Sequence, residues 1–570
     1  MKAWVIGLFI PAMLLALPAI APAASLPNAG STQHEIEKQL QEQQPQPTAP
    51  VPAPLPTPPA APEGVKIIVK DFLITGEKIF TEKQLKPLLT GFIGKELSIT
   101  ELEEAARTID EFYRSKGFLV RVYLPQQEIK DGVVHIVVIE GKLEGVDVDE
   151  KTKSRLSSAK AKNYITAAQP LGETLLINSL ERGMLLLNDL PGVSATSILH
   201  PGQEAGTSRL LLKVQDTPLF TGGTFYNNAG QRATGTSQGI IYASANDITG
   251  IGDQFTINGL HSDKDGTDFS SAAYSLPIGY SGLRVGSSVS SLKYKLVGDF
   301  AAFEANGSAE TYDGNANYPL IRSHSINLTA SVTYDHKSYL NKAAGSTTSD
   351  KRINVGSFAL KGDLFDQLLG GGHTTAGITL YNGSVQLGNA PDDKAADEAT
   401  ARTEGQYLKL GWTASRLQTI YTKTSLYLGF SGQFADKNLD SSEKFILGGP
   451  YGVRAYPVNE ASGDEGVLAS LELRQNIINE IQVIGFLDYG HIVVNHTPWA
   501  GSQGASNTPN RYDLAGAGPG INLLFNKLKM NANLNVAWPI GANPGRDAFG
   551  NDNDGTHKRP RFWVSAQKYF

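Results

Sequence analysis

From Pro218 onward, apolar and polar residues alternate with a period of two. Leu528, Met530, Ala532, Leu534, Val536 and Trp538 share one phase, while the other holds Lys529, Asn531, Asn533 and Asn535. Ile326, Leu328, Ala330, Val332 and Tyr334 alternate with Asn327, Thr329, Ser331 and Thr333, and Leu426, Leu428 and Phe430 repeat the pattern. Side chains alternate across a strand, so this pattern gives each strand one apolar and one polar face. It predicts about sixteen strands, an even number within the bacterial barrel range. A soluble sandwich also alternates, but it needs connections of similar length at both ends. Here, from the segment 323–338 on, long polar gaps (339–352, 385–403, 435–463, 494–509 and 541–558) alternate with short ones. Long loops on one side and tight turns on the other are what an outer-membrane barrel presents. The last segment ends on Phe570 with Phe562, Val564 and Ala566 in phase; Lys568 is the one polar departure.

Before residue 217 the period changes. Leu102, Ala105, Ala106, Ile109 and Phe112–Tyr113 stand at helical spacing within Thr100–Lys116, which Ser98 or Thr100 can cap and Gly117 ends. With strands over Val65–Ile74, Phe118–Leu124 and Val133–Ile139 and a helix over Thr81–Leu89, residues 65–142 read as a β-α-α-β-β unit. Residues 143–216 repeat that order: a strand at Glu144–Val148, helices at Ser154–Ala167 and Thr174–Leu187, and strands at Val193–Leu199 and Ser208–Gln215. Two units with one element order suggest a tandem repeat. Small sheets of this kind offer open edges to which a passing chain can add a strand.

The chain starts with Lys2, an apolar stretch from Ala3 to Ala21 and small residues up to Ala24, the pattern of a secretory signal peptide over residues 1–24. Nowhere else is there an uninterrupted apolar run of roughly 18 residues, so a membrane life requires a barrel. Residues 25–44 carry a polar, helix-prone stretch with Glu35, Glu37, Lys38 and Gln41 and almost no apolar face. Such a helix sits in solvent or in a wet cavity, and it is expected to plug the barrel. Residues 45–64 are rich in Pro and Ala, an extended tether.

Composition narrows the chemistry. The chain has no cysteine, which excludes a disulfide scaffold and a thiol nucleophile. A net charge of -6 argues against nucleic acid as a partner. No catalytic constellation, cofactor site or metal site is expected. Gly516-Ala517-Gly518-Pro519-Gly520 lies inside an alternating segment and is not a strand-to-helix phosphate loop. Asn551–Gly555 resembles a calcium loop but lacks the later Glu. His491 and His496, at a loop start, read as surface residues.

The most informative stretch is Leu447-Gly448-Gly449-Pro450-Tyr451-Gly452-Val453-Arg454-Ala455-Tyr456-Pro457, in the long gap 435–463. Glycines, aromatics and a single Arg suit a loop folded into a polar lumen, where the Arg needs an anionic partner. Asp488 is the candidate: Phe486, Asp488 and Gly490 share one strand face, and the glycines around them are expected to leave room for a guanidinium. Arg and a carboxylate form a directed bidentate pair.

These residues resemble the sixth-loop motif and the barrel-strand motif of the two-partner secretion transporters (TpsB-type exporters of haemolysins and adhesins), a branch of the POTRA-barrel insertase superfamily. The first maps to Val453, Arg454, Ala455 and Tyr456, with Ala455 where the superfamily usually has Gly; the second maps to Phe486, Asp488 and Gly490. Leu124–Gln127, Glu140-Gly141, Leu187–Gly192 and Pro201-Gly202 resemble the family's periplasmic units. The resemblance implies a plug helix, two POTRA domains (65–142 and 143–216) and a sixteen-stranded outer-membrane barrel (217–570) with an inward-folded long loop. It implies a non-enzymatic transporter. Its partners would be a secreted exoprotein with an N-terminal secretion domain, outer-membrane lipid, and the barrel-assembly machinery during biogenesis. An assembly insertase would carry more POTRA units, a passive porin none, and a surface enzyme or adhesin would need a site not seen here.

Overall fold

The computed structural model describes residues 27–42, 66–504 and 506–570. The signal peptide expected at 1–24 and the tether at 45–64 lie outside the described residues. Six α-helices are described: α1 (Ala29–Glu42), α2 (Glu82–Leu85), α3 (Ile99–Ser115), α4 (Ser158–Ala168), α5 (Ile177–Asn188) and α6 (Pro391–Ala399).

In the first small unit the strand Val133–Glu140 is central, with Asp71–Thr75 parallel on one side and Val120–Tyr123 antiparallel on the other. Helix α3 begins in a capping box, in which Ser98 N–H donates to Glu101 Oε2 at 2.7 Å and Ser98 Oγ accepts from the Glu101 amide. It buries Leu102, Ala105, Ala106, Ile109 and Tyr113 against Val134, Ile136 and Val138. The helix expected at Thr81–Leu89 is only α2 followed by a 3-10 turn, Lys86–Phe92. Pro87 has no N–H to continue the α-helical ladder. The second unit repeats the plan: Thr207–Asp216 is central, with Lys142–Val148 parallel and Val193–Pro201 antiparallel. Arg209 pairs with Glu144 and Asp147 across this sheet. The Thr207 hydroxyl and then Arg209 hold the Glu144 carboxyl down to about 2.

Main-chain bonds stitch the units together: Leu119 N–H donates to Leu175 O (3.0 Å), and Leu175 N–H to Gly141 O (2.8 Å). The second unit also docks on the short barrel turns. Arg322 makes a fork to Asp189 (2.8 and 2.7 Å), Arg182 donates to Pro319 O (2.7 Å), and Tyr164 meets Tyr280 edge-on.

Among the described residues, sixteen antiparallel strands close into a barrel, from Phe220–Asn227 to Arg561–Tyr569, which pair with each other. Their outward residues are the apolar phase read from the sequence: Val332, Tyr334, Phe430, Leu534, Trp538 and Phe562 are exposed. One gap differs from expectation. Residues 339–352 are not a loop; the strands Ile326–Ala343 and Ser346–Asp366 continue through them and join at Ala344-Gly345. Tyr339, Asn341 and Lys351 face inward there and are buried, while the outward phase is largely polar, so alternation fades although pairing persists. The gap 385–403 contains α6, with Pro391 and two acids in its first turn. Gly516–Gly520 lies within the strand Arg511–Phe525.

Candidate functional site

The long loop between the strands Thr424–Ala435 and Glu465–Ile478 folds into the barrel. A two-residue ladder, Phe445–Ile446 with Ser462–Gly463, closes its neck. Its tip turns back on itself, with Val453 N–H donating to Leu447 O at 2.7 Å. Gly452 is required at this turn, because a Cβ there would lie 1.8 Å from Leu447 O. Leu447, Val453, Ala455 and Tyr456 are fully buried against Ile484, Phe486, Ile492 and Leu514.

Arg454 reaches the wall from this tip. Its Nε and Nη2 donate to Asp488 Oδ2 (2.8 Å) and Oδ1 (2.7 Å), a planar fork on one carboxylate. The Arg454 backbone N–H adds a third bond to Oδ2 at 3.1 Å. The guanidinium lies 3.6 Å from the Phe486 ring centroid, a cation–π contact. Val453, Arg454, Ala455, Tyr456, Phe486, Asp488 and Gly490 therefore converge on one site.

One expectation about the glycines needs correction. The Phe486–Gly490 face does not leave room for the guanidinium by way of glycine. Gly490 admits the Leu447 side chain, which a Cβ would meet at 2.6 Å, and Gly485 lies on the outer face. The guanidinium instead fits between Ser470 and Phe486. Ala455, in the usual glycine position, keeps ordinary backbone geometry, since the loop's positive φ angles fall at Gly449, Asn459 and Ala461. Gly516 takes up the extra methyl: a Cβ at 516 would lie 2.5 Å from Ala455 Cβ.

The structure adds partners that the sequence reading missed. Glu472 accepts from Arg454 Nη1 at 2.7 Å and from Arg474 Nε at 2.8 Å. Glu472 sits opposite Phe486, and Ser470 opposite Asp488, on paired strands. The signal was available: Leu471 and Leu473 point outward, so Glu472 had to point in. Trp563, on the last strand, donates to Arg454 O at 2.7 Å. Glu460 is held by Asn543 (2.6 Å) and the Asn553 amide (2.7 Å) of the last long loop. In that loop Asp552 is ligated by Arg559 and Arg561, so the calcium-like stretch spends this carboxylate on arginines. His491 and His496, partly exposed, pair with Asp513 and Glu465.

Helix α1 lies inside the barrel. It starts at Ala29, inside the expected 25–44 stretch, because Asn28 caps it: Ser31 N–H donates to Asn28 Oδ1 at 3.0 Å. Ala29 and Ile36 pack into a buried cluster with Phe225, Leu260 and Leu292, an apolar stripe narrower than a helix normally buries. The rest of its seat is polar. Gln33 donates to Thr311 (2.6 Å), Glu35 accepts from Gln231 (2.6 Å) and Gln39 (3.1 Å), and Glu37 accepts from Gln33 (2.6 Å). Lys38 is half-buried and Gln41 exposed. Thr32 Oγ1, Gln33 Oε1 and Gln39 Oε1 are buried without a hydrogen-bond partner among the described residues.

A closed barrel with two POTRA-like units before it and an Arg-locked inner loop defines an outer-membrane transporter of the POTRA-barrel class. The profile of the haemolysin secretion/activation protein family ShlB/FhaC/HecB matches residues 206–523, and that of the ShlB-type POTRA domain matches 67–141. The chain belongs to this family, the TpsB-type outer-membrane transporters, with its POTRA units in the periplasm. It is 29% identical over 499 residues to the heme/hemopexin transporter protein HuxB of Haemophilus influenzae (strain 86-028NP), covering 85% of this chain and 84% of the relative. It is 24% identical over 491 residues to the outer membrane transporter CdiB of Dickeya dadantii (strain 3937), covering 84% of each. In structure it is similar to CdiB from Escherichia coli (TM-score 0.71, 19% identity, 95% of this chain and 98% of that one). BamA from Haemophilus ducreyi, lacking POTRA domains 1-3, shares the fold at a TM-score of 0.54 and 13% identity, over 89% of this chain and 100% of that one.

Proposed function

We propose that this transporter takes a secreted partner protein from the periplasm and passes it, unfolded, through the barrel to the cell surface. The partner's N-terminal secretion domain docks on residues 65–216, by strand addition at a free sheet edge and in grooves beside the helices. Helix α1, with Glu35, Glu37, Lys38 and Gln41, is the plug that leaves the lumen, while the loop anchored by Arg454 and Asp488 stays locked or shifts. The cargo is of the haemolysin or adhesin type. No enzymatic step or cofactor enters; folding of the exported chain outside supplies the free energy. Outer-membrane lipid surrounds the barrel, and the barrel-assembly machinery inserts it.

The observation that carries this reading is how α1 occupies the lumen. Among the described residues it has no main-chain ladder to the wall, only a thin apolar stripe and side-chain bonds, a weaker seat than that of a wall strand. The test is secretion of a candidate partner exoprotein, in a strain with and without the transporter. The partner should reach the medium only when the transporter is present. Its retention in the periplasm beside a correctly inserted transporter would defeat the proposal.

A further inference from the structure

The long loop has a second anchor, at its base. The turn Asp440–Glu443 carries two acids, and three wall strands, Ile326–Ala343, Ser346–Asp366 and Gly405–Tyr421, present lysines to it. Lys337 Nζ lies 2.9 Å from Glu443 Oε1, Lys409 Nζ lies 2.7 Å from Oε2, and Lys351 Nζ lies 2.5 Å from Asp440 Oδ2. Gln433 and Lys409 also donate to Glu443 O, at 2.9 and 3.1 Å. Glu443 is 2% exposed. A buried carboxylate with two lysines fixes a turn in place far more firmly than a surface pair would, since removing either sign strands the other.

This turn touches the start of α1. Ser441 Oγ donates to Asn28 Oδ1 at 3.2 Å, on the residue that caps the helix. Gly30 faces Ser442 so closely that a Cβ there would lie 2.7 Å from Ser442 Cβ. Glycine weakens a helix, and its presence in the first turn of α1 is explained by this contact. The next nearest atoms to that Cβ, Asn28 Oδ1 and Ser442 Cα, are at 3.4 and 3.5 Å, ordinary contact distances. From the other side, Asn341 Oδ1 accepts from the Ala29 amide at 2.9 Å and from Tyr294 OH at 2.9 Å. The helix start is thus clamped between the barrel wall and the loop base.

We propose that the turn Asp440–Glu443, pinned by Lys337, Lys351 and Lys409, is the seat that holds the plug. One loop then does two separable tasks: its tip is locked by Arg454, and its base positions α1. Displacing the base frees the plug while the tip stays locked. The proposal rests on the reading of α1 as a plug.

The test uses the full transporter in planar bilayers, with heat-modifiable gel mobility confirming that each variant is a folded barrel. Gly30→Ala drives a methyl into Ser442 and should raise conductance toward that of a form lacking residues 27–42. Ser442→Gly in the same chain removes the opposing Cβ and should restore the closed level. Glu443→Gln should also raise conductance, with protease access to the Arg454 tip unchanged. If the deletion raises conductance but Gly30→Ala does not, or Ser442→Gly does not reverse it, the seat is wrong and the plug reading stands. If the deletion itself leaves conductance unchanged, both are overturned.

Discussion

Replacing Arg454 by alanine removes the fork to Asp488, the bond to Glu472 and the stacking on Phe486 together. The two carboxylates fare differently. Glu472 keeps Arg474, whereas Asp488, fully buried, keeps the Ser470 hydroxyl and the backbone N–H of residue 454 and no cation among the described residues. Breaking a buried pair from one side costs about 3–5 kcal/mol, and the polar lumen favours the lower end. About 3 kcal/mol is roughly a hundredfold in the ratio of seated to unseated loop. Asp488→Ala is milder, about 1–3 kcal/mol, because Arg454 retains Glu472 and the Phe486 ring. The double variant should be no worse than Arg454→Ala, since the stranded carboxylate is gone. Arg454→Lys should fall between, a point charge being unable to form the fork. The assay is external protease cleavage of residues 436–464 on intact cells, read beside secretion and barrel insertion. Insertion should be little changed, while cleavage rises and secretion falls most in Arg454→Ala. Wild-type protection in Arg454→Ala, or strictly additive losses in the double variant, would refute the lock.

Deleting residues 65–216 should leave a heat-modifiable barrel in the membrane and abolish export; normal secretion would remove the docking role. Deleting residues 26–62 should raise conductance with a modest loss of export, and unchanged conductance would reduce the segment to a linker. In the second POTRA unit, Thr207 and Arg209 lower the Glu144 carboxyl from 4.5 to about 2. The stabilisation is therefore fully present above pH 4.5 and is lost as the pH falls toward 2. Glu144→Gln should flatten that acid dependence in hydrogen exchange of residues 142–216; an unchanged profile would contradict the assignment.

The barrel was legible because lipid enforces apolar residues on every outward position while a wet lumen tolerates polar ones, which makes alternation strong where the wall crosses the membrane. It failed at 339–352 for the same reason: outward Lys342, Asp350 and Arg352 lack the apolar phase that marks a strand in lipid, although the ladder continues. Arg454 and Asp488 could be matched from their residue types and strand phase. Glu472 was legible by that same phase, between Leu471 and Leu473. Trp563, Asn543 and Asn553 were not, because only barrel closure and the packing of the last loop bring them to residues 454–460. The start of α1 was written in Asn28 and Ser31, a capping pair easily passed over beside a polar helix.

The central claim is that a partner chain travels through this lumen. The transporter has no cysteine, so one introduced cysteine reports one position. Ser331 faces the lumen and bonds Asn317 at 2.6 Å, while its neighbour Val332 faces outward and is 55% exposed. A partner exoprotein stalled by a folded C-terminal fusion should cross-link to Ser331→Cys and not to Val332→Cys. Cross-linking at Val332→Cys alone, or at neither position while the fusion is exposed on the cell surface, would contradict passage through the barrel.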